Sequence, residues 1–186
     1  IKLSSGDLLD YDFDKNGNNT KTVIISENGN HALGTTVSAS SSFEEGNISR
    51  TKVTDNIHGI TSDSSTWLAG WTSNSDLNNN HNEWIQLDMG SVKSISRITL
   101  YPYINSSGAS GGFPIDAYIN VSMDGETWTL VKDISGYSPS PQSMVSLPFY
   151  SQVNARYVKI LGTKLPMVTD DNTYRMQFSE IEILEQ

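Results

Sequence analysis

Apolar and polar positions alternate with a period of two along much of the chain. In Trp84–Met89 the side chains of Ile85, Leu87 and Met89 share one face, and Ala117, Ile119 and Val121 do the same, as do Arg156, Val158 and Ile160. The segments Thr22–Ser26, Thr35–Ser41, Trp84–Met89, Ser94–Pro102, Asp116–Ser122, Thr127–Lys132, Met144–Phe149, Arg156–Gly162 and Met176–Leu184 read as strands separated by Gly, Asn, Ser and Pro clusters. That pattern predicts an all-β sandwich or barrel. No window supports a long amphipathic helix, and Leu3–Leu9 gives a helical turn at most. Asp124-Gly125, between Tyr118–Met123 and Thr127–Val131, predicts a tight hairpin of type I′, which needs positive φ at both central residues. Residues 1–30 are acidic and Asn-rich, with one apolar patch at Val23-Ile24-Ile25. They read as a linker followed by an added or edge strand, leaving 31–186 as the folded domain.

Composition narrows the partners. The 186 residues contain no cysteine and carry 12 Lys+Arg against 21 Asp+Glu, a formal charge of −9. Disulfides, thiolate metal sites and a Cys nucleophile are thereby excluded. Nucleic acid and anionic membrane are poor partners for so acidic a chain, since both are held mainly by Lys and Arg. No apolar run approaches the roughly 20 residues of a membrane span, and Ile1 to Asp10 lack the features of a signal peptide. The start at Ile and the stop at Gln suggest a fragment of a longer protein. A surface rich in Ser, Asn, Thr, Gly and Tyr suits neutral polar ligands such as sugars, and an extracellular bacterial protein is expected. Asn-x-Ser/Thr sequons occur at Asn18, Asn47, Asn105 and Asn120, but Asn120 falls inside an expected strand.

No catalytic constellation stands out. There is no Gly-x-Ser-x-Gly elbow, and His31, His58 and His81 show no metalloprotease spacing. Gly108-Ala109-Ser110-Gly111-Gly112 lacks the Gly-Lys-Ser/Thr ending and the helix of a phosphate cradle. Asp12-Phe13-Asp14-Lys15-Asn16-Gly17 matches the first half of an EF-hand loop, yet Val23 stands where the bidentate Glu is required, so a turn is expected. The chain is read as non-enzymatic.

Several local patterns, in order, resemble one family. They are Asp55-Asn56, Ser65-Thr66-Trp67, Trp84-Ile85-Gln86-Leu87-Asp88-Met89-Gly90, Phe113-Pro114 with Ser122–Trp128, Ala155–Ile160, and Tyr174–Ile183. The resemblance is to the discoidin fold, the coagulation-factor type C domain, and to its bacterial relatives, the family 32 carbohydrate-binding modules. It spans roughly residues 30–186. It implies an eight-stranded antiparallel β-sandwich of jelly-roll topology with ligand loops at one end, serving as a module of a larger secreted or surface glycan-active protein.

The resemblance also implies a structural Ca2+ beside those loops. Its ligands would be the Val53 carbonyl, the Asp55 carboxylate, Ser65, the Ser179 carbonyl and the Glu180 carboxylate. Either Asn56 or Asp63 would supply a further oxygen, because this chain carries extra residues, Ile57-His58-Gly59-Ile60, where the family loop is shorter. Against this, Asp55 and Asp63 could simply cap turns.

For a glycan, the family's usual His and Arg are missing: Leu68-Ala69-Gly70 follows Trp67, and Tyr103 follows Tyr101-Pro102. The remaining candidates are Trp71, Asp76, His81, Tyr103, Asn105, Tyr174 and Arg175. Trp71 and Tyr103 can be packing or platform, His81 a solvated loop residue, and Arg175 a salt-bridge partner of Asp170-Asp171. Two other roles stay open: a structural interdomain module without sugar binding, and a protein- or membrane-binding discoidin domain.

Overall fold

A computed structural model describes residues 8–13, 19–25, 29–58, 69–78, 81–104, 110–138 and 143–185, the side chains of 8–13, 19–25 and 110 excepted. The strands are β1 (Leu8–Phe13), β2 (Asn19–Ile25), β3 (Thr36–Ala39), β4 (Trp71–Thr72), β5 (Glu83–Ile104), β6 (Ser110–Gly111), β7 (Asp116–Ser122), β8 (Thr129–Ile134), β9 (Val145–Lys164), β10 (Met167–Val168), β11 (Thr173–Tyr174) and β12 (Gln177–Leu184). A 3-10 turn at Arg50–Thr54 is the single helical piece of five residues or more among the described residues. All pairing between these strands is antiparallel.

Two layers arise because β5 and β9 each serve both. The first half of β5 pairs with β3 and with the second half of β9, as in Leu87↔Val37 and Leu87↔Val158. The second half pairs with β12 and the first half of β9, as in Ile98↔Ile183 and Ile98↔Leu147. The switch falls at a register break between Asp88 and Lys93, where Gly90 adopts φ 72°. Hydrogen bonding then runs β4-β12-β5-β9-β7-β8. Ile85, Leu87, Ile119, Val158 and Ile160 from one layer meet Ile98, Leu100, Ile181 and Ile183 from the other in a single core. Burial in β5 alternates from Glu83 to Met89, as the period-two pattern required.

Three expectations change. Trp84–Met89 and Ser94–Pro102 are one bent strand, and so are Met144–Phe149 and Arg156–Gly162. The β7–β8 hairpin forms, but only Gly125 (φ 82°) has positive φ, so the turn is not type I′. The Asp124 carboxylate accepts from the amides of Glu126 and Thr127, both at 2.8 Å, and Ser122 Oγ accepts from Gly125 N at 2.9 Å. These side-chain bonds organise a wider loop. Finally, β1 and β2 form a two-stranded sheet of their own, in place of an added edge strand, while the expected turn at Leu3–Leu9 lies largely outside the described residues. The EF-hand-like string falls largely outside the described residues.

Candidate functional site

The expected ion site lies where the 3-10 turn meets β12. Ser49 caps the turn, Val53 within it is fully buried, and Asp55 ends it. Asn56 follows in the left-handed region, φ 64°, which turns its amide toward Glu180 Oε1 at 3.3 Å. Glu180 is wholly buried and its Oε2 has no hydrogen-bond partner. Burial, with the Asp55 carboxylate adding to it, pushes the Glu180 carboxyl up to about 9. Asp55 Oδ2 is likewise buried without a hydrogen bond, although Lys52 Nζ lies 3.3 Å away as an ion pair. Ser179 Oγ donates toward the carbonyls of His58, Tyr101 and Pro102, tying the loop to the sheet. Gly70 backs the seam at φ 137°; a Cβ there would stand 2.4 Å from the Phe178 carbonyl oxygen.

These residues fit a hard cation. Glu180 Oε2 and Asp55 Oδ2 are both buried without a hydrogen bond, the latter ion-paired with Lys52, and carboxylate oxygen is what Ca2+ prefers. Among the described residues no cluster of three or more His, Asp or Glu is arranged to hold a metal. Asp63 and Ser65, which would complete the shell, lie outside the described residues.

At the loop end of the sandwich a cleft of about 400 Å³ is lined by Phe43, Thr72, Asn74, Asp171, Arg175 and Gln177, among others. Phe43 is 45% exposed and offers a free ring face. Arg175 lines the same cleft; its Nη2 contacts Asp171 Oδ2 at 2.8 Å and its Nε is buried without a hydrogen bond. Gln177 Oε1 is also buried and unpartnered. Its side chain is packed so closely on Gly112 (φ 67°) that any Cβ there would approach Gln177 Cγ to 2.4 Å. The Asp171–Arg175 pairing is the one the sequence suggested as an alternative role for Arg175. The cleft therefore brings a half-exposed aromatic ring together with polar side chains.

The other candidates distribute differently. Trp71 is fully buried and stacks on Phe178 at 6.2 Å, so it is a core residue and offers no platform. Tyr103 is 5% exposed and closed in the same way; burial raises its hydroxyl, with Arg175 acting against the rise. Of platform and packing, packing is what the fold imposes on both: Trp71 lies in β4 against β12, and Tyr103 in the end of β5, which is buried on both faces. Asp76 spends one carboxylate oxygen on the Asn78 amide at 2.7 Å, and its backbone pairs with the half-buried Tyr174 at the cleft's edge. His81 does not line the cleft: Nδ1 meets the Asn78 carbonyl at 2.5 Å, and Nε2 faces buried Glu83 at 3.7 Å. Asn105 lies outside the described residues. Phe43 went unnoticed in the sequence; its signal was an isolated aromatic between Ser41-Ser42 and Glu44-Glu45.

Comparison with known proteins adds the following. Residues 36–180 match the model of the F5/8 type C domain family. No curated protein matches the chain in sequence. Among solved structures, chitosan-binding module 1 of a chitosanase/glucanase from Paenibacillus sp. IK-5 superposes with a TM-score of 0.61 at 21% identity, covering 84% of this chain and 98% of the module. Module 2 of the same enzyme, solved with chitotriose, gives 0.62 at 21% identity, with 84% and 100% covered. The family 32 module of Clostridium perfringens NanJ, solved with galactose, gives 0.62 at 18% identity, with 84% and 98% covered. These likenesses establish the discoidin-like all-β fold.

Proposed function

The chain belongs to the F5/8 type C, or discoidin, domain family, and from that premise we propose that it is a non-catalytic carbohydrate-binding module whose glycan sits in the cleft between Phe43 and Arg175. The observation that carries the reading is the half-exposed Phe43 ring sharing one opening with the polar side chains of Asn74, Asp171, Arg175 and Gln177. A pyranose has an apolar C–H face and an equatorial girdle of hydroxyls. The face would lie on Phe43, and the hydroxyls would satisfy the guanidinium, the Gln177 amide and Asn74. Modules with similar folds were solved with chitotriose and with galactose, which supports a saccharide as the ligand class.

Ca2+ would be held by Asp55, Glu180 and the Val53 and Ser179 carbonyls, with Asn56, Asp63 or Ser65 completing the shell. Its role would be structural, fixing the loop after the 3-10 turn against β12. The module would target a larger secreted or cell-surface glycan-active protein of a bacterium to its glycans.

Titration calorimetry and a glycan array test the binding role. Saturable binding with Kd in the micromolar-to-millimolar range, about 4–8 kcal/mol, is expected. It should vanish in Phe43→Ala at an unchanged melting temperature. Silence across neutral glycans would sink the reading in favour of an interdomain spacer, and binding to anionic liposomes would favour a membrane role.

A further inference from the structure

Glu83 opens β5 as a buried carboxylate outside the Phe43 cleft: it is 6% exposed and does not line that opening. Its Oε2 accepts the Ser40 hydroxyl, and the Ser41 hydroxyl lies 2.9 Å from both carboxylate oxygens. His81 Nε2, at 3.7 Å from Oε1, is beyond hydrogen-bond range. Two serine hydroxyls therefore hold this carboxylate.

A carboxylate only accepts, so the Ser41 proton is committed to Glu83 and the Ser41 oxygen is left free to accept. It does so from Asn74 N at 2.9 Å. The two serines lead to different places. Ser40 Oγ has the amide and the carbonyl of Trp84 in reach, at 2.8 and 3.2 Å, and so returns to the strand that carries Glu83. Ser41 leads instead to Asn74, which lines the Phe43 cleft. Two residues beyond Ser41, Phe43 N donates to the Thr72 carbonyl at 3.0 Å. Segments 41–43 and 72–74 are thus joined at two points, and one of the two hangs on Glu83.

We propose that Glu83 is a positioning residue for the ligand of the Phe43 cleft: through the Ser41 hydroxyl it fixes Asn74 against the segment that carries Phe43. That role rests on the carbohydrate reading of the cleft. Glu83 touches no ligand; it sets the polar wall and the ring in place before a sugar arrives, which removes an ordering cost from the binding step.

Galactose and chitotriose are titrated calorimetrically into the parent chain, Ser40→Ala, Ser41→Ala, Glu83→Ala and the Ser41→Ala/Glu83→Ala double variant, with melting temperatures measured alongside. Each serine variant takes one hydroxyl from Glu83, but only Ser41→Ala cuts the link to the cleft. Ser41→Ala is expected to weaken binding by about tenfold and Ser40→Ala by less than about threefold. The double variant is expected to bind no more weakly than Glu83→Ala, since both changes act through one chain of bonds. Equal losses in the two serine variants, an unchanged Ser41→Ala or an additive double variant would overturn the proposal. If Glu83→Ala does not fold, the serine pair decides. A parent chain silent toward both sugars would count against the carbohydrate reading alone. The positioning role is then judged without ligand, from hydrogen exchange at the Asn74 amide. Faster exchange is expected in Ser41→Ala and Glu83→Ala than in Ser40→Ala, and equal rates in all three would overturn it.

Discussion

Two carboxylates on the same sandwich show how differently a fold can treat negative charge. Asp88, near the switch point of β5, is partly exposed and gripped from two sides by the Arg156 guanidinium, with the Gly90 amide adding a third bond at 2.8 Å. Its pKa lies below the ordinary value, chiefly because of the bond to Arg156. Glu180, on β12, is wholly buried, receives the Asn56 amide, and faces another carboxylate instead of a cation. Burying a charge without a partner is costly enough that a lone carboxyl stays protonated. Asp88 carries its countercharge in the chain; Glu180 has none among the described residues. The first arrangement holds a charge at neutral pH, and the second a neutral acid.

The sharpest way to break this contrast is to push the Glu180 seam open. Gly70→Ala would place a methyl group 2.4 Å from the Phe178 carbonyl oxygen, at a φ that L-residues avoid. A loss of about 3 kcal/mol is expected from strain and overpacking. Urea denaturation checks it; an unchanged midpoint would show that β4 and β12 are less tightly apposed than described. Next in size is calcium. At one hundred times its Kd the ion should stabilise the chain by about 2.7 kcal/mol, and chelator should remove that gain. Calorimetry with and without Ca2+ reads it, with Glu180→Gln expected to erase the difference. Equal melting temperatures in both buffers would leave Glu180 a neutral core acid.

The smallest effect belongs to the completed pair. Arg156→Met should lower the melting temperature less than either change above, because the pair is partly solvated and exposed pairs contribute little. The pH dependence gives the sign. Asp88 has a folded pKa below its unfolded value near 4, so its contribution is present above that value and is lost as pH falls through the folded one. The acid limb of the stability curve should therefore flatten in Arg156→Met. An identical acid limb in both chains would detach Asp88 from acid stability.

Much of this was legible in the sequence where a strand was long enough to show its period. Asp116–Ser122 appears with the expected bounds, and the face shared by Ile85, Leu87 and Met89 is the one turned to the core. Two-residue strands such as Trp71–Thr72 and Met167–Val168 cannot display a period, so Trp71 looked like a loop aromatic when it is a core side chain. The bends that fuse strand pairs into β5 and β9 depend on which layer each half joins, a tertiary fact absent from local pattern. Phe43 was missed for the converse reason. A single aromatic in a polar loop has no neighbours to give it a face, and only the approach of Arg175 and Gln177 from distant positions makes it part of a cleft. The Asp171–Arg175 pair, four residues apart, was readable because it is local.

The adjacency of Asn30 and Leu184 has an orientational consequence. Asn30 and Leu184 therefore bring the two ends of the sandwich to one end of β12. The opening beside Phe43 lies at the other end of that strand, clear of both residues.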